Sequence, residues 1–234
     1  AREAVLKILA KDSQSIHEKL IVILDMGSKI QQCINTDEYD NIKSVVNDYL
    51  KEGIAHTLDE TRNLSDSGQF EDISLQQGIR QILYPYEEME VLNPEWEVIL
   101  KDIIDSLFEQ MSDEEYNILN EEFGTYMVSR VYEYRQLLEY LVFRYFAKSI
   151  YDYDFLGKCQ MLVTNFFVIR QMDIIRWLDN HREYSFKDRM DVVHIFSRQV
   201  EYSEDNIENL YEDFIFDDIF KTDSLIAILW IDSE

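Results

Sequence analysis

Apolar side chains recur at steps of three and four along most of the chain, with polar residues between them. That period marks helices with one face turned inward. The run Met127, Val131, Tyr134, Leu138, Leu141, Val142 and Tyr145 is a clear case, and it makes the apolar part of "QLLEYLVFRYFAKSIYDYD" a core stripe. The later stretch "MLVTNFFVIRQMDIIRWL" is apolar on most sides, which predicts a central helix buried nearly all round. Helices are predicted over Arg2–Ala10, Ile16–Ile34, Glu38–Glu52, Leu75–Leu83, Pro94–Met111 and Asp113–Glu122. Further ones follow over Tyr126–Ile150, Phe155–Asn180, Phe186–Tyr202 and Glu204–Phe216, with a short closing helix near Ser224–Ile231. The expected fold is all-α, a bundle of about ten helices around a buried apolar one.

Local signals agree with this period. Ser15 with Glu18, Ser74 with Gln77, Ser112 with Glu115 and Ser185 with Asp188 each have N-cap and N3 spacing. There the hydroxyl accepts a backbone N–H and the N3 side chain reaches back. Asn93 before Pro94 is another start, because proline at the first helical position gives up an N–H that has no partner anyway. Gly53 is expected to stop a helix, and Gly124 to break or kink one. The polar stretch "IAHTLDETRNLSDSGQFEDI" is expected to be a loop or sub-domain boundary, near residues 54–73 of an otherwise single domain spanning 1–234.

Composition narrows the class. The chain has 234 residues, enough for a substantial core, with only 6 Gly and 2 Pro. So little turn material favours long helices over a sandwich or a doubly wound sheet. A net charge of −25 repels phosphate backbones and anionic lipid heads. It therefore argues against nucleic-acid and membrane-surface partners and is compatible with a cationic protein surface. Cys33 and Cys159 are too few for a disulfide framework or a cysteine-rich metal site, and a reducing cytoplasm fits. The apolar runs are too short to span a bilayer, and the charged start "AREAVLKILAKDS" is no signal peptide. A start at Ala rather than Met, directly in a helical pattern, leads us to expect a piece of a longer protein.

Candidate chemistry centres on arginine and tyrosine. Eight of the eleven arginines fall between Arg130 and Arg198. Either they neutralise buried carboxylates, or several converge on an anionic ligand group. Asn165 and Arg176, eleven residues apart, share nearly one face of the apolar helix, and Asn165 needs a hydrogen-bond partner there. Tyr140, Tyr145, Tyr151 and Tyr153, with Asp152 and Asp154, have the residue types of a lysine-ammonium pocket, or of an ordinary core edge. Asp188, Asp191 and His194 drift about 60° per step around a helix, so one ion would meet two of them at best. No zinc motif, glycine-rich phosphate cradle or nucleophile elbow is present.

The segments "LLEYLVFRYF", "MLVTNFFVIRQM" and "FKDRMDVVHIFSRQVEYSEDNIENLYEDF" resemble helices of the bacterial flagellin lysine-N-methylases. "AVLKILAKDSQSIHEKLIVI" is similar to the helix, break and helix that follow that family's cysteine cluster. Where the family reads N-Y-L-V, this chain has Glu139-Tyr140-Leu141-Val142. The resemblance implies methyl transfer from S-adenosylmethionine to lysines of flagellin or another lysine-bearing protein. It points to Tyr140, Arg144 and Arg198 as substrate- or cofactor-binding positions beside Asn165 and Arg176. It also implies an iron–sulfur cluster held by a preceding cysteine-rich segment, which Cys33 and Cys159 cannot replace. The helical part alone is then expected to be incomplete as an enzyme. The alternative is a non-enzymatic acidic helical module for a cationic protein.

Overall fold

Helices fill the computed structural model, which describes residues 1–66 and 73–233. In chain order they are α1 (Arg2–Leu9), α2 (Ile16–Asn35), α3 (Ile42–Asp48), α4 (Ile54–Asp66), α5 (Leu75–Glu87) and α6 (Pro94–Ile103). Then come α7 (Asp113–Met127), α8 (Val131–Tyr145), α9 (Ser149–Asp152), α10 (Phe155–Asp179), α11 (Phe186–Phe196), α12 (Glu204–Phe216) and α13 (Thr222–Ser233). No strand occurs among the described residues, so the fold is all-α as expected.

The helix starts lie where the caps were read. Ser15 and Ser185 form complete capping boxes with Glu18 and Asp188. Ser112 and Glu115 exchange the same pair of bonds, and Ser74 and Asn93 accept from Gln77 and Glu95 amides. Helix ends differ more from expectation. Gly53 stops nothing: α3 passes through a π-helical turn, Tyr49–Gly53, straight into α4. Of the stretch expected as loop or boundary, Ile54–Asp66 is helical and so not a loop, residues 67–72 lie outside the described residues, and the second compact unit begins at Ile73. The helix expected over Tyr126–Ile150 is divided. Gly124 sits inside α7, a tight turn over Val128–Arg130 precedes α8, and another over Phe146–Lys148 precedes α9. Glycine tolerates a helix interior at a modest cost, so packing decides whether the helix continues.

The chain forms two compact units. The first comprises the described residues of Ala1–Asp72, Val128–Val163 and Phe220–Glu234. Here α13, buried from Leu225 to Trp230, packs along α2. Each such aliphatic side chain removed from water contributes about 1.5–3 kcal/mol. Gly27 of α2 permits close approach to α10, because a Cβ there would lie 2.7 Å from the Cys159 sulfur. The predicted stripe of α8 is buried at Tyr134, Leu138, Leu141, Val142 and Tyr145, while Val131 is exposed.

The closing "YDYD" of that stretch caps α10. Asp154 accepts from the Gly157 amide at 2.8 Å, and Gln31 accepts from the Phe155 and Leu156 amides at 2.8 and 3.2 Å. The Lys158 ammonium lies 2.7 Å from Asp152 and 3.4 Å from Asp154, with its side chain 1% exposed. These aspartates compensate a buried cation of the chain itself.

The second unit comprises Ile73–Met127 and Thr164–Ile219. Tyr86, Trp96 and Phe196 form an aromatic cluster, with Trp96 donating its indole N–H to the Tyr86 carbonyl at 3.3 Å. Residues 157–175 of α10 are buried without interruption, matching the all-round apolar pattern. Two of its buried polar groups, Gln171 and Asp173, find partners within the unit. Asp173 accepts from Arg189 and Tyr184, and Tyr116 donates to Gln171 at 2.9 Å.

Candidate functional site

Helices α6, α10 and α11 of the second unit enclose a cleft of about 580 Å³. Three isoleucines, Ile99, Ile175 and Ile195, are all nearly buried and form its apolar floor. Around them stand Glu95 and Asp102 from α6, Arg176 and Asp179 from α10, and Asp191 and His194 from α11. Arg198 joins them from the π-helical turn Ser197–Glu201 that extends α11. One extra residue per turn re-aims side chains, a device frequent at functional sites.

A buried polar network sets the walls. Gln199, next to Arg198, accepts from the Leu92 amide at 2.9 Å and the Asn93 amide at 3.2 Å, and donates to the Glu90 carbonyl at 2.7 Å. Asn206 accepts from the Glu90 amide and donates to the Glu90 and Gln199 carbonyls. Both side chains are essentially inaccessible to water, so the start of α6 is fixed to the end of α11. At the other wall, Asn180 donates to Asp188 at 2.9 Å, tying the end of α10 to the capping box of α11. Burial favours the neutral form of Asp188. The Ser185 hydroxyl and amide, Asn180 and the nearby Arg176 outweigh it and lower the pKa.

The charged side chains of this cleft form no ion pair among the described residues. Among the described residues neither the Arg176 nor the Arg198 guanidinium takes part in an ion pair or hydrogen bond, although Arg176 acts on Asp188 through space. The carboxylates of Glu95, Asp102, Asp179 and Asp191 form no ion pair there either. Other arginines do neutralise acids. Arg189 pairs with buried Asp173, and Arg130 forks onto Glu133 with bonds of 2.7 and 3.0 Å. The neutralising reading therefore holds for Arg189 and Arg130.

Two of the five nominated positions, Arg176 and Arg198, thus line one cleft. Asn165 is fully buried; its side-chain oxygen accepts from the Tyr86 hydroxyl at 2.8 Å, while its side-chain nitrogen has no hydrogen-bond partner among the described residues. Tyr140 and Arg144 belong to the first unit, exposed on α8, with the Arg144 guanidinium 5.8 Å from the Tyr145 ring centre. The acids of α6 and Asp179 escaped sequence reading, although Glu95 and Asp102, seven residues apart, share a helix face. Of the metal candidates, Asp191 and His194 line the cleft. Among the described residues no group of three His, Cys, Asp or Glu could hold an ion. Cys33 and Cys159 are both buried free thiols, and they offer no ligand set for an iron–sulfur cluster.

No curated protein and no solved structure matches the chain. The family model described as the FliB lysine N-methylase C-terminal domain matches residues 2–228. That match spans both units and agrees with the resemblance carried by "LLEYLVFRYF" and the segments after it. The chain therefore belongs to the FliB lysine N-methylase family, in the part that forms its C-terminal domain.

Proposed function

We propose that this chain is the helical donor-binding part of an S-adenosylmethionine-dependent flagellin lysine N-methyltransferase. The observation that carries the reading is the pair Arg176 and Arg198, both without an ion-pair partner among the described residues and both lining one cleft. The donor has a carboxylate, an ammonium, a sulfonium and a ribose diol. Arg176 and Arg198 suit the carboxylate, since guanidinium forks match its geometry. Glu95, Asp102, Asp179 and Asp191 suit the cationic groups and the diol. Ile99, Ile175 and Ile195 exclude water beneath them. When bound, the donor supplies an electrophilic methyl group.

Flagellin, or another lysine-bearing protein, is the proposed acceptor, and the cytoplasm the proposed site of reaction. The chain's acidity favours a cationic partner through long-range attraction. Tyr140 and Arg144, one turn apart on the exposed side of α8, are the proposed contacts for that protein. No helix among the described residues is long and apolar enough to cross a membrane.

Calorimetric titration of S-adenosylmethionine into the chain tests the donor reading. Binding is expected in the wild type and at least tenfold weaker in Arg176→Ala and Arg198→Ala. A folded wild-type chain that binds no donor would leave the acidic interaction module as the surviving reading.

A further inference from the structure

A second concavity of the same unit, of about 480 Å³, is lined by Ile118, Glu121, Glu122, Thr125, Tyr126, Trp177 and Arg182. Its chemistry differs from that of the cleft. The rings of Tyr126 and Trp177 stand 5.5 Å apart at 45°, forming two walls of an aromatic corner. The Tyr126 hydroxyl accepts from the Tyr184 amide at 2.9 Å, which fixes that ring. Glu121 and Glu122 add negative charge at the edge.

A cation already occupies this corner. The Arg182 guanidinium lies 5.2 Å from the Trp177 ring centre and donates to Glu122 at 2.8 Å. Its backbone lies in the turn that caps the C-terminal end of α10. His181 and Arg182 both have positive φ, 56° and 68°, which side chains other than glycine rarely adopt. The Arg182 amide bonds back to the Trp177 carbonyl at 2.7 Å, folding the arginine over the ring it covers. The Arg182 and Glu122 side chains are 55% and 44% exposed, so the plug is a surface pair that an external cation can replace.

We propose that this corner is a binding site for N-methylated lysine, with Arg182 as its internal occupant when no ligand is present. Methylation keeps the lysine charge, removes N–H donors and weakens hydration, and such a cation prefers aromatic faces flanked by carboxylates. The choice of a methylated side chain rests on the methylase reading above, since that reaction makes this group. The site then retains product after transfer, or tethers an already modified region of the substrate.

The test is calorimetry of N-acetyl-trimethyllysine amide with the full chain, beside the unmodified lysine amide. Removing the plug with Arg182→Ala is expected to tighten trimethyllysine binding at least tenfold, with melting curves confirming that the variant is folded. Adding Tyr126→Ala in that background is expected to abolish the gain. The unmodified amide is expected to bind more weakly than the trimethylated one. Equal affinity in wild type and Arg182→Ala overturns the proposal, as does equal affinity for the two amides or a gain that survives Tyr126→Ala. No methyl donor is present, so this outcome is independent of donor binding at Arg176 and Arg198.

Discussion

Arg189 donates to Asp173 at 2.5 Å, with the two side chains only 5% and 0% exposed. The Tyr184 hydroxyl donates to the other Asp173 oxygen. Removing one member of a buried pair takes a charged partner from the other, so Arg189→Ala is expected to cost about 3–5 kcal/mol. Replacing both by apolar residues, Asp173→Leu with Arg189→Met, is expected to cost much less than the single change. Urea denaturation of the three proteins checks the order. A double variant as unstable as Arg189→Ala would show that geometry, not charge, dominates this site.

The Gly27–Cys159 contact yields a packing prediction. An alanine methyl at position 27 would lie 2.7 Å from the Cys159 sulfur and 3.2 Å from its Cβ. The better helix propensity of alanine is outweighed by overpacking, so Gly27→Ala is expected to lose about 1–3 kcal/mol. Cys159→Ala removes the sulfur and is expected to recover part of that loss. A double-mutant cycle measures the coupling, and additive effects would contradict it.

Acid should weaken the start of α11. Ser185, Asn180 and Arg176 hold the Asp188 pKa below its ordinary value despite burial. A carboxylate with a depressed folded pKa stabilises the protein fully above its unfolded pKa. That contribution fades as pH falls through the folded value. Glu115 behaves likewise at the start of α7, where the Ser112 amide and hydroxyl lower its pKa. Ser185→Ala is expected to cost about 1 kcal/mol at neutral pH and to bring the Asp188 titration up toward the free-carboxylate range. Carboxyl-carbon NMR against pH reads the shift directly.

Under the proposed function, a methyl-transfer assay separates the two proposed contact regions. Arg198→Ala is expected to raise KM for S-adenosylmethionine about tenfold or more with little change in KM for flagellin. Tyr140→Ala and Arg144→Ala are expected to do the reverse. Unchanged kinetics in both α8 variants would remove Tyr140 and Arg144 as substrate contacts.

Cys159 is expected to resist alkylation in the folded protein. Burial, with Asp154 nearby, raises its thiol pKa well above the ordinary value, and the thiolate is the reactive form. Mass spectrometry after brief alkylation checks this. Modification at native pH as fast as that of the urea-unfolded chain would contradict it.

Much of the helical skeleton was legible because its causes are local. A cap needs residues only two or three apart, which is why Ser15, Ser74, Asn93, Ser112 and Ser185 announced their helices. A core stripe needs only the helical period, which is why Leu138, Leu141 and Val142 were found. Where α3 passes through Gly53 into α4, or α8 gives way to a turn at Phe146, local propensity is too weak to decide and packing does. The sequence alone also could not sort the arginines. Arg189 meets Asp173 sixteen residues away, whereas Arg176 and Arg198 form no ion pair among the described residues. The cleft itself joins α6 to α10 and α11, segments far apart in the chain, and its walls are held by the Gln199 and Asn206 bonds to Glu90–Asn93 and by the Asn180 bond to Asp188. Period and capping are properties of neighbouring residues, while a binding site depends on which distant side chains the folded backbone leaves facing one another.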